Sequence, residues 1–165
     1  MERPVFPLRI IMQRRKLTSR WADEVWETHG VLRGESGEPR SVETIVHTDV
    51  LTRYLIKGFY LELFRDEAEG YYLNVSTNEP KVFVMWRKEE GHEIAMPVMV
   101  TVSYGEAARG MDSSENVDAV YMPAEIMAWV GDYVENNYRP EPKKQGRGGD
   151  KPSFQSNRQR DSKDG

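Results

Sequence analysis

Cysteine is absent from the 165-residue chain. That lack excludes disulfide frameworks, thiol nucleophiles, thiolate zinc sites and cysteine-held iron–sulfur clusters together. Histidine is scarce. His29, His47 and His92 stand far apart, with no H-E-x-x-H or other paired metal spacing. The phosphate-cradling G-x-x-x-x-G-K-[ST], the dinucleotide G-x-G-x-x-G and the nucleophile elbow G-x-S-x-G are missing too. No apolar run approaches the ~20 residues of a membrane span. The opening segment "MERPVFPLRIIMQRRKLTSRW" is interrupted by Pro7 and Arg9 and lacks the continuous apolar stretch of a secretion signal. Arg14-Arg15 resembles a twin-arginine signal only superficially, because no apolar segment follows it. A soluble, cytoplasmic protein is expected.

Charge is present in quantity and unevenly spread. The 23 basic and 27 acidic residues give a net charge of -4, which argues against a dedicated binder of duplex nucleic acid. From Arg139 onward there are 8 Lys and Arg against 4 Asp and Glu, leaving 15 against 23 in residues 1–138. An acidic body thus carries a basic tail. Residues 140–165 contain one large apolar side chain, Phe154, too little to offset the entropy of ordering. The expected organisation is one globular domain, 1–139, and a disordered basic tail, 140–165.

Period-two patterning dominates the body. Phe6, Leu8, Ile10 and Met12 alternate as in a strand with one buried face. A second extended segment is expected from Trp21 to Leu32 with Gly30 at a bulge, then a loop at "GESGEPR" and a strand over "SVETIVHT". Phe59, Leu61 and Leu63 share one strand face. Tyr71, Leu73 and Val75 read as the return strand of a hairpin whose tip is the acidic turn "RDEAEG". Val82, Val84 and Trp86 follow, and Ile94 to Tyr104 alternate, with Pro97 marking an edge position or a bulge.

The period then lengthens. "SYGE", Ser103 to Glu106, fits a capping box and predicts a short helix that Gly110 can end in a left-handed conformation. Pro123 suits the first position of a second helix carrying Ile126, Met127, Val130, Tyr133, Val134 and Asn137 on one side. The fold class expected is mainly β (α+β): an antiparallel rolled sheet or small barrel of six to eight strands, with a short helix and one C-terminal helix.

Three functional classes can be weighed on these residues. Asp66, Glu67 and Glu69 can supply oxygen ligands or an acid/base pair, but "DEAEG" does not match a calcium loop, and carboxylates on a solvated tip keep ordinary proton affinities. Recognition suits them better than catalysis, and neither a metal nor a cofactor is expected. Aromatic residues beside Arg65, Arg87 or Arg109, with a basic tail holding Arg147-Gly148-Gly149, give the alternative of a single-stranded nucleic-acid binder. Tyr72 and Asn74, opposite Leu73 on the expected strand, present a contact surface to a protein partner. The expected partner-binding residues are Arg65, Asp66, Glu67, Glu69, Tyr72, Asn74, Glu106 and Arg109. No catalytic residue is assigned.

The blocks "RWADEVWETHGV", "RDEAEGYYLNVSTNEPKVFVMWR" and "VTVSYGEAARGMDSSENVDAVYMPAEIMAWVGDYVENNYRPEPKK" resemble an uncharacterised bacterial domain family of unknown function, across most of residues 5–144. Members of that family are typically encoded beside molybdenum-dependent formate dehydrogenases and their maturation factors. The resemblance implies a non-enzymatic accessory role in maturation or regulation of such an enzyme, through protein–protein contacts. It carries no catalytic residues. An acidic turn is a poor seat for the phosphate of a molybdopterin-type cofactor.

Overall fold

The structure, a computed structural model, describes residues 3–18 and 23–139. The expected basic tail and Trp21 lie outside them. Seven strands form two antiparallel sheets: β1 (Val5–Lys16), β2 (Glu24–Arg33), β3 (Ser41–His47), β4 (Leu51–Glu62), β5 (Lys81–Arg87), β6 (Met96–Thr101) and β7 (Asn116–Tyr121). Three α-helices accompany them: α1 (Ala68–Val75), α2 (Tyr104–Asp112) and α3 (Ala124–Asn137). The first sheet has the order β2-β1-β4-β3 and the second β6-β5-β7. The mainly β, α+β expectation holds. In place of the single rolled sheet or small barrel expected, the strands divide into two separate antiparallel sheets, and no closed barrel forms among the described residues.

Alternation in β1 sets the core. Phe6, Leu8, Ile10 and Met12 are all buried, joined by Ile56, Phe59 and Leu61 of β4, Val82 and Val84 of β5, and Ile126, Val130 and Val134 of α3. Burying one such side chain contributes about 1.5–3 kcal/mol, so this stripe supplies the main cohesion between layers. Aromatic pairs tie the helices in: Phe6 lies 5.2 Å from Trp129, and Tyr71 meets Tyr133 edge-on at 6.0 Å.

Two of the register shifts fall at glycine or proline positions that the sequence marks. Register shifts where Ile11 pairs Gly30 and Met12 pairs Thr28, leaving His29 as the extra residue next to Gly30. Pro97 sits on β6, an edge strand, beside a second shift in which Met85 pairs Met99 and Trp86 pairs Pro97. That extra residue, Val98, breaks the even alternation expected over 94–104: Pro97 and Thr101 are buried while Val98 is 47% exposed.

Several expectations are corrected. Gly110 does not end α2; it lies within the helix, packed so closely that an added Cβ would approach the Met85 thioether at 2.6 Å. The left-handed residue after α2 is Ser114 (φ 65°), which completes a Schellman-type end with Glu115 N–H bonding the Gly110 carbonyl at 3.0 Å. Pro123 is the cap preceding α3 rather than its first helical residue. Strand β7 is absent from the sequence-level expectation, because "NVDAVY" alternates too briefly to stand out between two helices.

Candidate functional site

The acidic segment is not a hairpin tip. Phe64 leads into a single 3-10 turn, Arg65–Glu67, and α1 follows directly. Acidic side chains at Asp66, Glu67 and Glu69 suit the positive end of a helix. Its inward residues recur at Ala68, Tyr71 and Asn74, a helical spacing of three, while Leu73 is 46% exposed. Three apolar residues at Tyr71, Leu73 and Val75 match a strand as well as a helix, and tertiary packing decides. Tyr71 is fully buried, its hydroxyl accepts the Phe64 N–H at 2.9 Å, and burial holds that phenol well above its usual proton affinity.

Asn74 is therefore not a contact residue. It has no exposed surface, and its amide group binds three backbone groups: Nδ2 donates to the Lys81 carbonyl at 2.7 Å and the Val102 carbonyl at 2.9 Å, while Oδ1 accepts the Lys81 N–H at 3.0 Å. It pins the start of β5 and the end of β6 to α1. Tyr72 is half-buried, 5.0 Å from the Tyr138 ring.

Glu67, Glu106 and Arg109 do converge, at the junction of α1 and α2. The Glu67 carboxylate accepts the Ser103 hydroxyl at 2.6 Å and the Arg109 guanidinium at 2.7 Å. Ser103 in turn caps α2 by accepting the Glu106 N–H at 3.2 Å. Only half of the expected capping box forms, because Glu106 turns instead to the Thr101 hydroxyl, which itself accepts the Ser103 N–H at 3.0 Å. A side chain at Gly70 would run into the Ser103 hydroxyl, so glycine lets the helices approach. Ser103 has no exposed surface, Arg109 is largely exposed, and the bonds of this cluster clasp α1 to α2. Arg65, Asp66, Glu69 and Tyr72 take no part in its hydrogen bonds.

The expected arginine–aromatic platforms also rearrange. Arg87 is paired with Glu115 at 2.8 Å and Arg109 with Glu67. Cations over rings are instead Arg3 on Phe64, Arg14 on Trp26, Arg33 on Phe6 and Arg40 on Phe59. Among the described residues no three His, Asp or Glu side chains gather closely enough to hold a metal ion, and no helix is long and apolar enough to cross a membrane.

The open part of the molecule lies between the sheets. β3 pairs β4 only as far as Ser41 with Lys57, so among the described residues β4 from Gly58 to Glu62 is bonded to β1 on one side and to no strand on the other. β6 is bonded to β5 alone. Between these two free edges runs a groove of about 950 Å³, lined by Val5, Phe59, Tyr60, Phe64, Val98 and Met99 with Arg40, Glu62 and Glu106 among its polar lining. Val5 is 49% and Val98 47% exposed there. Gly58 (φ 91°) makes the bend that lets the chain of Arg40 cross: its absent Cβ would sit 2.7 Å from the Arg40 backbone. Arg40 then lies over the Phe59 ring at 3.7 Å and donates to the Gly58 carbonyl at 3.3 Å.

Of the expected contact residues, Glu106 alone lines this groove. The sequence signal that marks the groove is "MPVMV", an edge strand without the charged residues that usually protect one. The opposite gap, between β2 and β7, is closed by side chains. Asp118 Oδ2 accepts the Thr28 backbone N–H at 2.7 Å and the Trp86 Nε1–H at 2.8 Å.

No curated protein and no solved structure matches this chain. A family model does match, over residues 7–147, and so reaches from within β1 through α3. The chain belongs to the family described as "Protein of unknown function (DUF3305)".

Proposed function

We propose that this domain is a non-enzymatic binding module that takes an extended segment of a partner protein into the groove between β4 and β6, as an added strand. The observation that carries the reading is the pair of unbonded strand edges facing one apolar groove. Main-chain hydrogen bonds from such edges supply affinity, and alternate side chains entering the groove supply selectivity. The apolar surface of Val5, Val98 and Met99 favours a segment with apolar residues at alternate positions, and arginines lie over Phe59 and Phe64 beside it. Polar clusters elsewhere are consumed by internal bonds, as at Glu67, Ser103 and Arg109, which favours holding over chemistry. The partner implied by the sequence resemblance is a molybdenum-dependent formate dehydrogenase or one of its maturation factors, met in the cytoplasm.

The test combines binding and physiology. Purified chain is titrated against the purified dehydrogenase and its maturation factors by biolayer interferometry, alongside Val98→Lys. Binding weakened by Val98→Lys supports the reading, whereas equal binding by both proteins overturns the groove. Unchanged formate oxidation and enzyme abundance in a deletion strain overturn the accessory role.

A further inference from the structure

The inner face of the first sheet continues past the core. On β1 the inward positions Leu8, Ile10 and Met12 are followed by Arg14 and Lys16, two cations on the face that was apolar one turn of the pleat earlier. Arg14 pairs with Thr52, which also pairs with His47. These residues and the β3–β4 turn line a partly open surface hollow of about 90 Å³, with Arg14, Lys16, His47, Thr48, Asp49 and Thr52 around it.

The cavity has a rigid wall. Thr48 Oγ1 accepts the Val50 N–H at 3.3 Å and the Leu51 N–H at 3.0 Å, and Lys16 N–H bonds the Val50 carbonyl at 2.9 Å. Thr52 is buried at 3% exposure; its hydroxyl accepts Arg14 Nη2 at 3.3 Å and lies 3.2 Å from His47 Nδ1. Two carboxylates stand near: Asp49 in the lining, and Glu24, 4.0 Å from Arg14 Nε. Lys16 has no carboxylate within ion-pair distance among the described residues. Arg14, held by Thr52, and the exposed Lys16 and His47 around one small hollow, on a body that is acidic overall, carry positive charge that the neighbouring carboxylates offset only in part.

We propose that this hollow binds the phosphoryl group of a small molecule, with Arg14 offering its fork, Lys16 a point charge and His47 a ring N–H. The hollow, about 90 Å³ and open to solvent on one side, has room for one tetrahedral oxyanion. An organic remainder would leave toward Trp26, whose ring lies 6.0 Å from the Arg14 guanidinium and stacks on Tyr54 at 5.9 Å.

The experiment is amide-resolved NMR titration of the full chain with inorganic phosphate and, separately, with adenosine monophosphate, at low ionic strength. Saturable shifts confined to residues 14–16 and 47–52 are expected. Lys16→Gln and His47→Gln should each weaken binding about tenfold, the loss of one charge-assisted hydrogen bond, with the unfolding midpoint of each variant unchanged. Tighter binding of the nucleotide identifies an organic phosphate, with Trp26 and Tyr54 shifting as well; equal binding identifies free phosphate. Absence of saturable shifts in residues 47–52, or shifts that persist in the Lys16→Gln/His47→Gln double variant, overturns the proposal.

Discussion

The two gaps between the sheets are built in opposite ways. At the β2–β7 gap one carboxylate, Asp118, receives a backbone N–H from β2 and an indole N–H from β5, so the strand edge of β2 is satisfied by a side chain. At the β4–β6 gap the edges face each other across an apolar groove with no such latch. The first gap is a closed seam that adds stability. The second leaves backbone donors and acceptors to water, which costs little while water has access and becomes favourable when another strand replaces it. Placement of a single Asp thus separates a latched edge from an unlatched one.

The sharpest way to break the contrast is to loosen the wall of the open gap. Asn74→Ala strands three backbone groups at the ends of β5 and β6, and should cost about 3 kcal/mol in urea unfolding, at one to three per buried unsatisfied group after partial relaxation. Asp118→Ala unlatches the closed seam. It leaves Thr28 N–H and Trp86 Nε1–H without their acceptor and should cost about 2 kcal/mol, with tryptophan fluorescence reporting the exposed Trp86. Gly58→Ala places a methyl group against the Arg40 backbone at a left-handed φ, and should cost about 1–2 kcal/mol in the same assay while disturbing the groove rim.

Acid should weaken the surface ion pairs. Arg15, Arg9 and Arg87 hold the Glu27, Glu38 and Glu115 carboxyls below the usual carboxylate range, chiefly by direct hydrogen bonds. The unfolded chain then binds more protons than the folded one as pH falls below about 5, so stability present at neutral pH is lost through the acidic range. A Glu27→Gln/Glu38→Gln/Glu115→Gln variant should show a flatter dependence of unfolding midpoint on pH below about 5. The smallest effect on stability belongs to the open gap itself: Val98→Lys, on an exposed edge, should shift stability by no more than about 0.5 kcal/mol. Its effect should appear in partner binding instead.

Much of the architecture was legible wherever a periodic face was long enough. Twelve residues of β1 and fourteen of α3 repeat their periods several times over, and Pro97 and Gly30 mark irregularities for reasons of backbone chemistry. Short elements were ambiguous. "YYLNV" satisfies strand and helix patterns equally, and only Tyr71 reaching Phe64 and Asn74 reaching Lys81 and Val102 select the helix. Asn74 shows the limit for site residues: an asparagine looks polar and exposed in sequence, yet its burial follows from backbone groups brought near by β5 and β6. The groove was hidden for the same reason, since its walls come from segments some forty residues apart and its defining property is the absence of a pairing.

Amide hydrogen exchange tests the central claim most directly. In the free protein the outward-facing amides of residues 58–62 and 96–101 should exchange quickly and the Thr28 amide slowly. On addition of the proposed partner, the groove-edge amides should become protected while Thr28 is unchanged. Slow exchange along both groove edges in the free protein, or partner binding that leaves their exchange unaltered, would contradict the account.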